Sequence, residues 1–315
     1  MKIVILDAET LGNDLSLAPL CEIGEVIAYP STSREEIAAR VADCDILVQN
    51  KVKIDEAVFS AAPRLRLVCE AATGYDNIDL AAARAHGVAV CNVPGYSTPS
   101  VVQLTLSMVL SLATNLPAFA EAVASGGYTA GGKANILTPV YHELAGKTWG
   151  IVGYGNIGRG VGAVAEALGC RVVVSKRTPC ADAECVSLDE LCRISDIITV
   201  HTPLSAETRG LIDRRRIEMM KRDVIFVNVA RGAVTDEAAL AEALAEGRIG
   251  GLGVDVFSEE PFSENHPFYV IKDVPNVCLT PHMAWGSFEA RTRCLATIAS
   301  NARVFLSGGR QNRVD

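Results

Sequence analysis

The sequence predicts an α/β protein of two parallel-sheet domains, the second of them doubly wound. Three observations carry that expectation. Short runs of β-type residues alternate with helical patterns along the chain, the mark of parallel sheets covered by helices. A composition of 49% hydrophobic and 21% charged residues over 315 positions is globular, and the length suits about two domains of roughly 100–200 residues. Near the middle, a β-type run from Thr148 meets Gly153-Tyr-Gly-Asn-Ile-Gly158, and an Ala/Val-rich helical pattern follows to Leu168.

That third stretch is the most informative. A lone glycine hexapeptide is weak, because glycine turns also arise for steric reasons. With a strand before it and a helix after it, it is a Rossmann dinucleotide-binding fingerprint. Gly153 permits the tight turn, Gly155 lets backbone approach a pyrophosphate, and Gly158 allows close helix–strand packing. Asn156 and Ile157 open the helix, whose unpaired N–H groups favour phosphate.

The remaining elements follow in order. Residues 2–7, 45–48, 65–69 and 88–91 read as strands. Residues 33–43, with Ser33 as N-cap, 54–62 and 80–85 read as helices. They form a small α/β domain over 1–99, to which a last helix, 287–306, returns, so that 285–315 belongs with it. The dinucleotide-binding domain takes 100–284. It begins with one long uncharged helix to Ala124, kinked or ended by Pro117. The Gly-rich stretch 125–142 is either a subunit contact or a bare surface loop. Six strands follow, at 148–152, 171–175, 196–201, 224–228, 249–254 and 277–279. A helix over 235–246 has Thr235 as N-cap and Gly247 as C-cap.

Charge and composition exclude several classes. A net charge of −8 argues against nucleic acid or an anionic membrane as partner. No apolar run approaches the ~20 residues of a membrane span. The first residues are too short for a signal-peptide core and read as a strand. Ten scattered cysteines match ordinary thiol usage in a reducing cytosol, so a cytoplasmic location is expected. Cys180 and Cys185 have a tempting spacing, but no second pair or nearby histidine completes a metal site, and none is predicted.

In a doubly wound sheet, ligands lie outside the carboxyl ends of the strands. The polar candidates at that edge are His201-Thr-Pro203, Arg231, Asp255, Glu260 and His282. Of the five histidines, 86, 142 and 266 have bland placements on a helix end or in loops. His282 follows the last strand, with an arginine and an acid at neighbouring strand ends.

Val227-Asn-Val-Ala-Arg-Gly232, Gly251-Leu-Gly-Val-Asp-Val-Phe-Ser-Glu-Glu-Pro261 and Thr280-Pro-His-Met-Ala-Trp285 together resemble the D-isomer-specific 2-hydroxyacid dehydrogenases. So do Ala72-Thr-Gly-Tyr-Asp-Asn-Ile-Asp79, Cys91-Asn-Val-Pro-Gly-Tyr-Ser97 and His201-Thr-Pro-Leu-Ser-Ala-Glu-Thr-Arg209. The resemblance spans nearly the whole chain and looks closest to the glycerate dehydrogenase / hydroxypyruvate reductase branch. It implies a smaller flavodoxin-like substrate domain beside the Rossmann domain, a homodimer, and hydride transfer between NAD(P)H and a small 2-keto acid such as hydroxypyruvate or glyoxylate. By that resemblance Arg231 binds the substrate carboxylate through its planar fork, and His282 moves the proton. Glu260 orients the imidazole; Glu259 is the neighbouring rival, and only the family register selects Glu260. Asp255 orients the nicotinamide amide, with Thr202, Pro203, Thr208, Val229 and Ala230 as further cofactor contacts. Thr73, Gly74, Lys51 and Trp285 are the implied substrate contacts. Tyr128 stands where many relatives carry tryptophan.

The cofactor's second phosphate is a separate question. NAD enzymes place an acid at the end of the second strand to accept from the ribose 2′-OH. Here that strand ends Ser175-Lys-Arg-Thr178, the family's acidic position falls at Lys176, and the next acid is Asp182. Ser175, Lys176 and Arg177 suit a 2′-phosphate, so NADP is the expected cofactor, with NAD the alternative. A nucleotide-sensing binding protein on the same fold is the competing functional class.

Overall fold

The computed structural model describes residues 1–178 and 180–315. The chain divides into two compact units, Met1–Ser97 with Gly286–Asp315, and Thr98–Trp285. In the first, β1 (Lys2–Ile5), β2 (Glu25–Ala28), β3 (Ile46–Gln49), β4 (Leu67–Glu70) and β5 (Ala89–Cys91) form a parallel sheet in the order β2-β1-β3-β4-β5. That is the flavodoxin-like order. Helices α1 (Ala18–Cys21), α2 (Ile37–Val41), α3 (Glu56–Ala61) and α4 (Leu80–Ala85) connect the strands. Every residue of β3, β4 and β5 is buried, which is why these strands read as continuous apolar runs. The last helix, α12 (Phe288–Leu306), belongs to this unit. Its Asn301 donates to the Asn92 carbonyl at 3.0 Å. Beyond it, Arg313 bridges Cys91 in antiparallel fashion, and the Val314 N–H donates to the Val90 carbonyl at 3.0 Å.

The second unit opens with α5 (Thr98–Thr114), α6 (Leu116–Ala124) and α7 (Gly127–Gly131). Its sheet holds β6 (Thr148–Val152), β7 (Arg171–Ser175), β8 (Glu184–Cys185), β9 (Ile197–Val200), β10 (Ile225–Asn228), β11 (Gly251–Val254) and β12 (Val277–Leu279). They are ordered β12-β11-β10-β9-β6-β7-β8, all parallel. The order reverses at β6, as a doubly wound sheet requires. Between the strands run α8 (Asn156–Ala167), α9 (Leu188–Ile194), α10 (Arg214–Met219) and α11 (Glu237–Ala245).

Five expectations need correction. The first sheet has a fifth strand, β2, an edge strand with no fully buried residue and so little apolar patterning. The second gains β8, two residues long and paired only with β7. The helix expected at 33–43 is regular only from Ile37 to Val41, because the Ser33 N–H donates to the Glu36 carboxylate at 2.8 Å and forms a turn first. The N-cap of α11 is Asp236, accepting from the Ala239 N–H at 2.9 Å; Thr235 instead donates its hydroxyl to the Gly232 carbonyl.

The long helix beginning near residue 100 is two helices. Asn115 takes a left-handed φ of 52°, and α6 leaves α5 at 66°. Pro117 lies in the first turn of α6, where its missing N–H costs nothing. Helix α5 lacks charge because it is a core helix. A Cβ on Gly253 would stand 3.3 Å from Met108 Sδ, and one on Gly251 3.5 Å from the Leu112 Cβ. Among the described residues no single helix is long and apolar enough to cross a membrane.

Candidate active site

Gly153 has φ +90°, and a Cβ there would lie 2.7 Å from the Thr202 nitrogen, against the chain leaving β9. Its N–H donates to the Ser175 carbonyl at 2.9 Å, tying the turn to the end of β7. At Gly158 a Cβ would lie 2.3 Å from the Gly153 carbonyl oxygen. Both glycines are therefore demanded by protein packing. Gly155 is not: a Cβ there would meet nothing within 4 Å. Gly155 is also the N-cap of α8 and supplies no side-chain cap, whereas Ser187, Asp213 and Asp236 cap α9, α10 and α11. Uncapped amides at Asn156 and Ile157 beside open space fit a pyrophosphate group.

Asp255 follows β11 and is fully buried. Its Oδ1 accepts from the Thr280 hydroxyl at 2.5 Å and the Met283 N–H at 2.9 Å, and its Oδ2 from the Ala284 N–H at 2.9 Å. Its own carbonyl accepts from the His282 N–H at 2.8 Å. Burial raises its carboxyl, against the opposing pull of Thr280, Ala284, Met283 and His282. Asp255 thus clamps both sides of the loop that presents His282. The histidine takes a left-handed φ of 52°, a conformation that a non-glycine residue keeps only where its surroundings hold it. Its Nδ1 pairs with Glu260 Oε2 at 2.6 Å, while Glu260 Oε1 accepts from the Phe257 N–H at 2.9 Å. Glu260 therefore closes its own turn with one oxygen and meets the imidazole with the other.

Arg231 sits just past β10, half-buried, its Nη1 donating to the Ala230 carbonyl at 2.8 Å. Two residues that sequence reasoning missed set this turn. Asn228, fully buried, accepts from the Ala230 N–H and donates to the Arg231 carbonyl, both at 3.0 Å. Gly232 brings the Arg231 turn against the Glu260 turn: a Cβ there would fall 2.1 Å from the Phe257 carbonyl carbon. Asn228 carried a legible signal, an Asx-type side chain at a strand end. Gly232 carried none, because its constraint comes from a distant segment.

His201 also lies at this edge, but both of its ring nitrogens are buried without a hydrogen-bond partner. Burial pulls it down to about 3, so it is neutral near pH 7 and supplies no acid. Thr208 spends its hydroxyl on the Pro203 carbonyl at 2.6 Å, closing the turn after Thr202. Val229 is buried and Ala230 half-buried beside Asn228. Lys176 is half-buried and Arg177 exposed at the end of β7. Trp285 is half-buried against the core that contains Ala284. Lys51, Thr73 and Gly74 belong to the other unit, past the ends of β3 and β4. There the Lys51 N–H donates to Asp7 Oδ2 at 2.6 Å and the Thr73 hydroxyl to the Val93 carbonyl at 2.9 Å. Of the three bland histidines, His86 meets Glu56 at 2.7 Å, and His266 pairs with buried Glu237 at 3.1 Å.

Comparison with known proteins agrees with this geometry. Residues 106–284 match the family model of the D-isomer specific 2-hydroxyacid dehydrogenase NAD binding domain. A hydroxypyruvate reductase of Blautia hydrogenotrophica is 36% identical, with all of both chains covered. A glycerate dehydrogenase of Methylorubrum extorquens is 35% identical over 100% of this chain and 99% of its own. An acyclic imino acid reductase solved in complex with NADPH and D-Arg superposes with a TM-score of 0.88 at 27% identity, covering all of both chains. With strand order, glycine turn and the Arg231, Glu260 and His282 strand ends in place, the chain belongs to the D-isomer specific 2-hydroxyacid dehydrogenases, NAD-binding oxidoreductases.

Proposed function

We propose that this enzyme reduces small 2-keto acids of the hydroxypyruvate and glyoxylate class to D-2-hydroxy acids, with NADPH preferred over NADH. The observation that carries the reaction is the 2.6 Å pairing of His282 Nδ1 with Glu260. With Nδ1 committed to the carboxylate, the transferable proton is the one on Nε2. A reduced nicotinamide bound at the glycine turn supplies the hydride. His282 delivers the proton to the carbonyl oxygen, and Glu260 holds the imidazole in place for it. Arg231 is the proposed carboxylate ligand of the second unit; in the first unit, Lys51 and the amides of Thr73 and Gly74 are the proposed substrate contacts. Asp255 holds the His282 loop, and any contact with the nicotinamide amide is additional to that. The two relatives named for hydroxypyruvate and glycerate support the choice of substrate.

The preference for NADPH rests on Lys176 and Arg177, which stand where an NAD enzyme would carry a carboxylate. The first acid after them, Asp182, is ion-paired with Arg159. A structural neighbour solved in complex with NADPH supports this reading. We further propose a homodimer built on segment 110–141, where Leu116 and Val123 are each 61% exposed, Leu137 72% and Val140 70%. Apolar exposure of that extent marks an interaction face.

The test is to follow NADPH and NADH oxidation against hydroxypyruvate, glyoxylate, pyruvate, phenylpyruvate and phosphohydroxypyruvate. The highest kcat/KM is expected with hydroxypyruvate or glyoxylate and NADPH. A clear NADH preference overturns the cofactor assignment, and no turnover with any acid overturns the reaction.

A further inference from the structure

Beneath the turn that carries Glu260 lies a second carboxylate–imidazole pair, this one buried. Glu237, in the first turn of α11, is 7% exposed and His266 is 6% exposed. His266 Nδ1 accepts the Phe268 N–H at 3.2 Å, so the ring proton sits on Nε2, directed at Glu237 Oε2 3.1 Å away. The same carboxylate receives both donors of Ser258, the N–H into Oε1 at 2.9 Å and the hydroxyl into Oε2. Ser258 adjoins Phe257, whose N–H is held by Glu260. The turn is therefore closed by its own Glu260 and fastened to α11 by Glu237. Gly232 presses on it from the Arg231 side. The Phe257 ring packs against Phe262, His266 and Phe268, with centroids 4.6, 6.0 and 6.2 Å away.

We propose that Glu237 is a positioning residue for the Glu260–His282 pair: oriented by His266, it anchors Ser258 and so sets where the Glu260 carboxylate meets the imidazole. The inference rests on the assignment of His282 as proton donor and Glu260 as its partner. A carboxylate accepting three donors fixes its neighbours more tightly than neutral hydrogen bonds do, and small misplacement of a catalytic group is costly in rate. Glu260 on this turn meets the His282 ring, and the Asp255 carboxylate at the end of β11 interacts with it electrostatically; Arg231 stands at the end of β10. Glu237 acts through Ser258, which it holds by both the N–H and the hydroxyl.

Glu237→Gln, Ser258→Ala and Glu260→Gln are compared in the full chain with hydroxypyruvate and NADPH. Measured are kcat, KM, cofactor Kd by nicotinamide fluorescence, melting temperature and the pH profile of kcat/KM. Reduction draws on the proton that His282 delivers, so loss of the carboxylate on its ring in Glu260→Gln is expected to change the pH profile of kcat/KM. Glu237→Gln and Ser258→Ala are expected to lower kcat about tenfold, a fraction of the roughly 100-fold that a 1 Å misplacement costs. They should leave cofactor Kd unchanged and move the pH profile in the same direction as Glu260→Gln, but less far. Should Glu237→Gln fail to fold, Ser258→Ala decides, since it removes a single hydroxyl. If Glu260→Gln moves the profile while the folded variants keep wild-type kcat and profile, the positioning role is overturned. If Glu260→Gln itself leaves the profile in place, the parent assignment has failed instead.

Discussion

His282 is fixed from two directions, by the Asp255 clamp on its backbone and by Glu260 on its ring. His282→Ala should therefore remove the chemistry without disturbing the glycine turn. Reduction is expected to fall by roughly 100–10,000-fold, with NADPH affinity nearly unchanged by fluorescence titration; retained turnover would show that another group carries the proton. His282, Glu260 and Arg231 were legible in the sequence because each is a chemistry-bearing residue at a predicted strand end, and the family register separated Glu260 from Glu259. Sequence reasoning gave Asp255 a cofactor role; the structure adds a second one, since its carboxylate also holds the 280–284 loop. Asn228 was legible only as an Asx-type turn residue at a strand end, since its partners Ala230 and Arg231 are local. Gly232 and the Glu237–His266 pair were not legible as site residues, because their partners lie on segments whose proximity exists only after folding.

At the scale of elements, the sheet ends concentrate polar groups that strand interiors exclude. Glu70 ends β4 fully buried, with Gln49, at the end of β3, donating to its Oε2. Burial, reinforced by the charge of Asp7, pushes its carboxyl up to about 9 from 4.5. Between those two pH values the folded chain keeps a proton that the unfolded chain has released. Stability from this group is thus fully present below about pH 4.5 and lost as pH rises toward 9. Glu70→Gln keeps the shape and removes the linkage. In urea unfolding the variant should gain on the wild type as pH rises from 5 to 9, by up to about 1.4 kcal/mol per pH unit; a difference that stays constant with pH refutes the protonated state. Elements with strong apolar runs were legible, including the buried strands. Edge strands β2 and β8 were not, since two or four half-exposed residues carry little pattern. The break at Asn115 was hidden by Pro117, the stronger signal two residues on, which proves compatible with the start of α6.

For the whole molecule, the alternation of strands and helices announced two parallel sheets, while strand order within each came only with the structure. Assembly is the property least visible in one chain. Leu137→Asp combined with Val140→Asp puts charge on the most exposed apolar positions of segment 110–141. Light scattering should show the double variant as a monomer where the wild type is a dimer; an unchanged mass rules out this face. The return of α12 to the first unit has a consequence for how the protein is made. A ribosome completes Thr98–Trp285 before it has supplied Gly286–Asp315, which belongs to the first unit. The N-terminal segment is therefore expected to wait, unfinished, while the inserted unit folds ahead of it. Chains stalled after residue 285 should yield a protease-resistant second unit and a digestible first one; equal protection of both would show that residues 1–97 fold without their last helix.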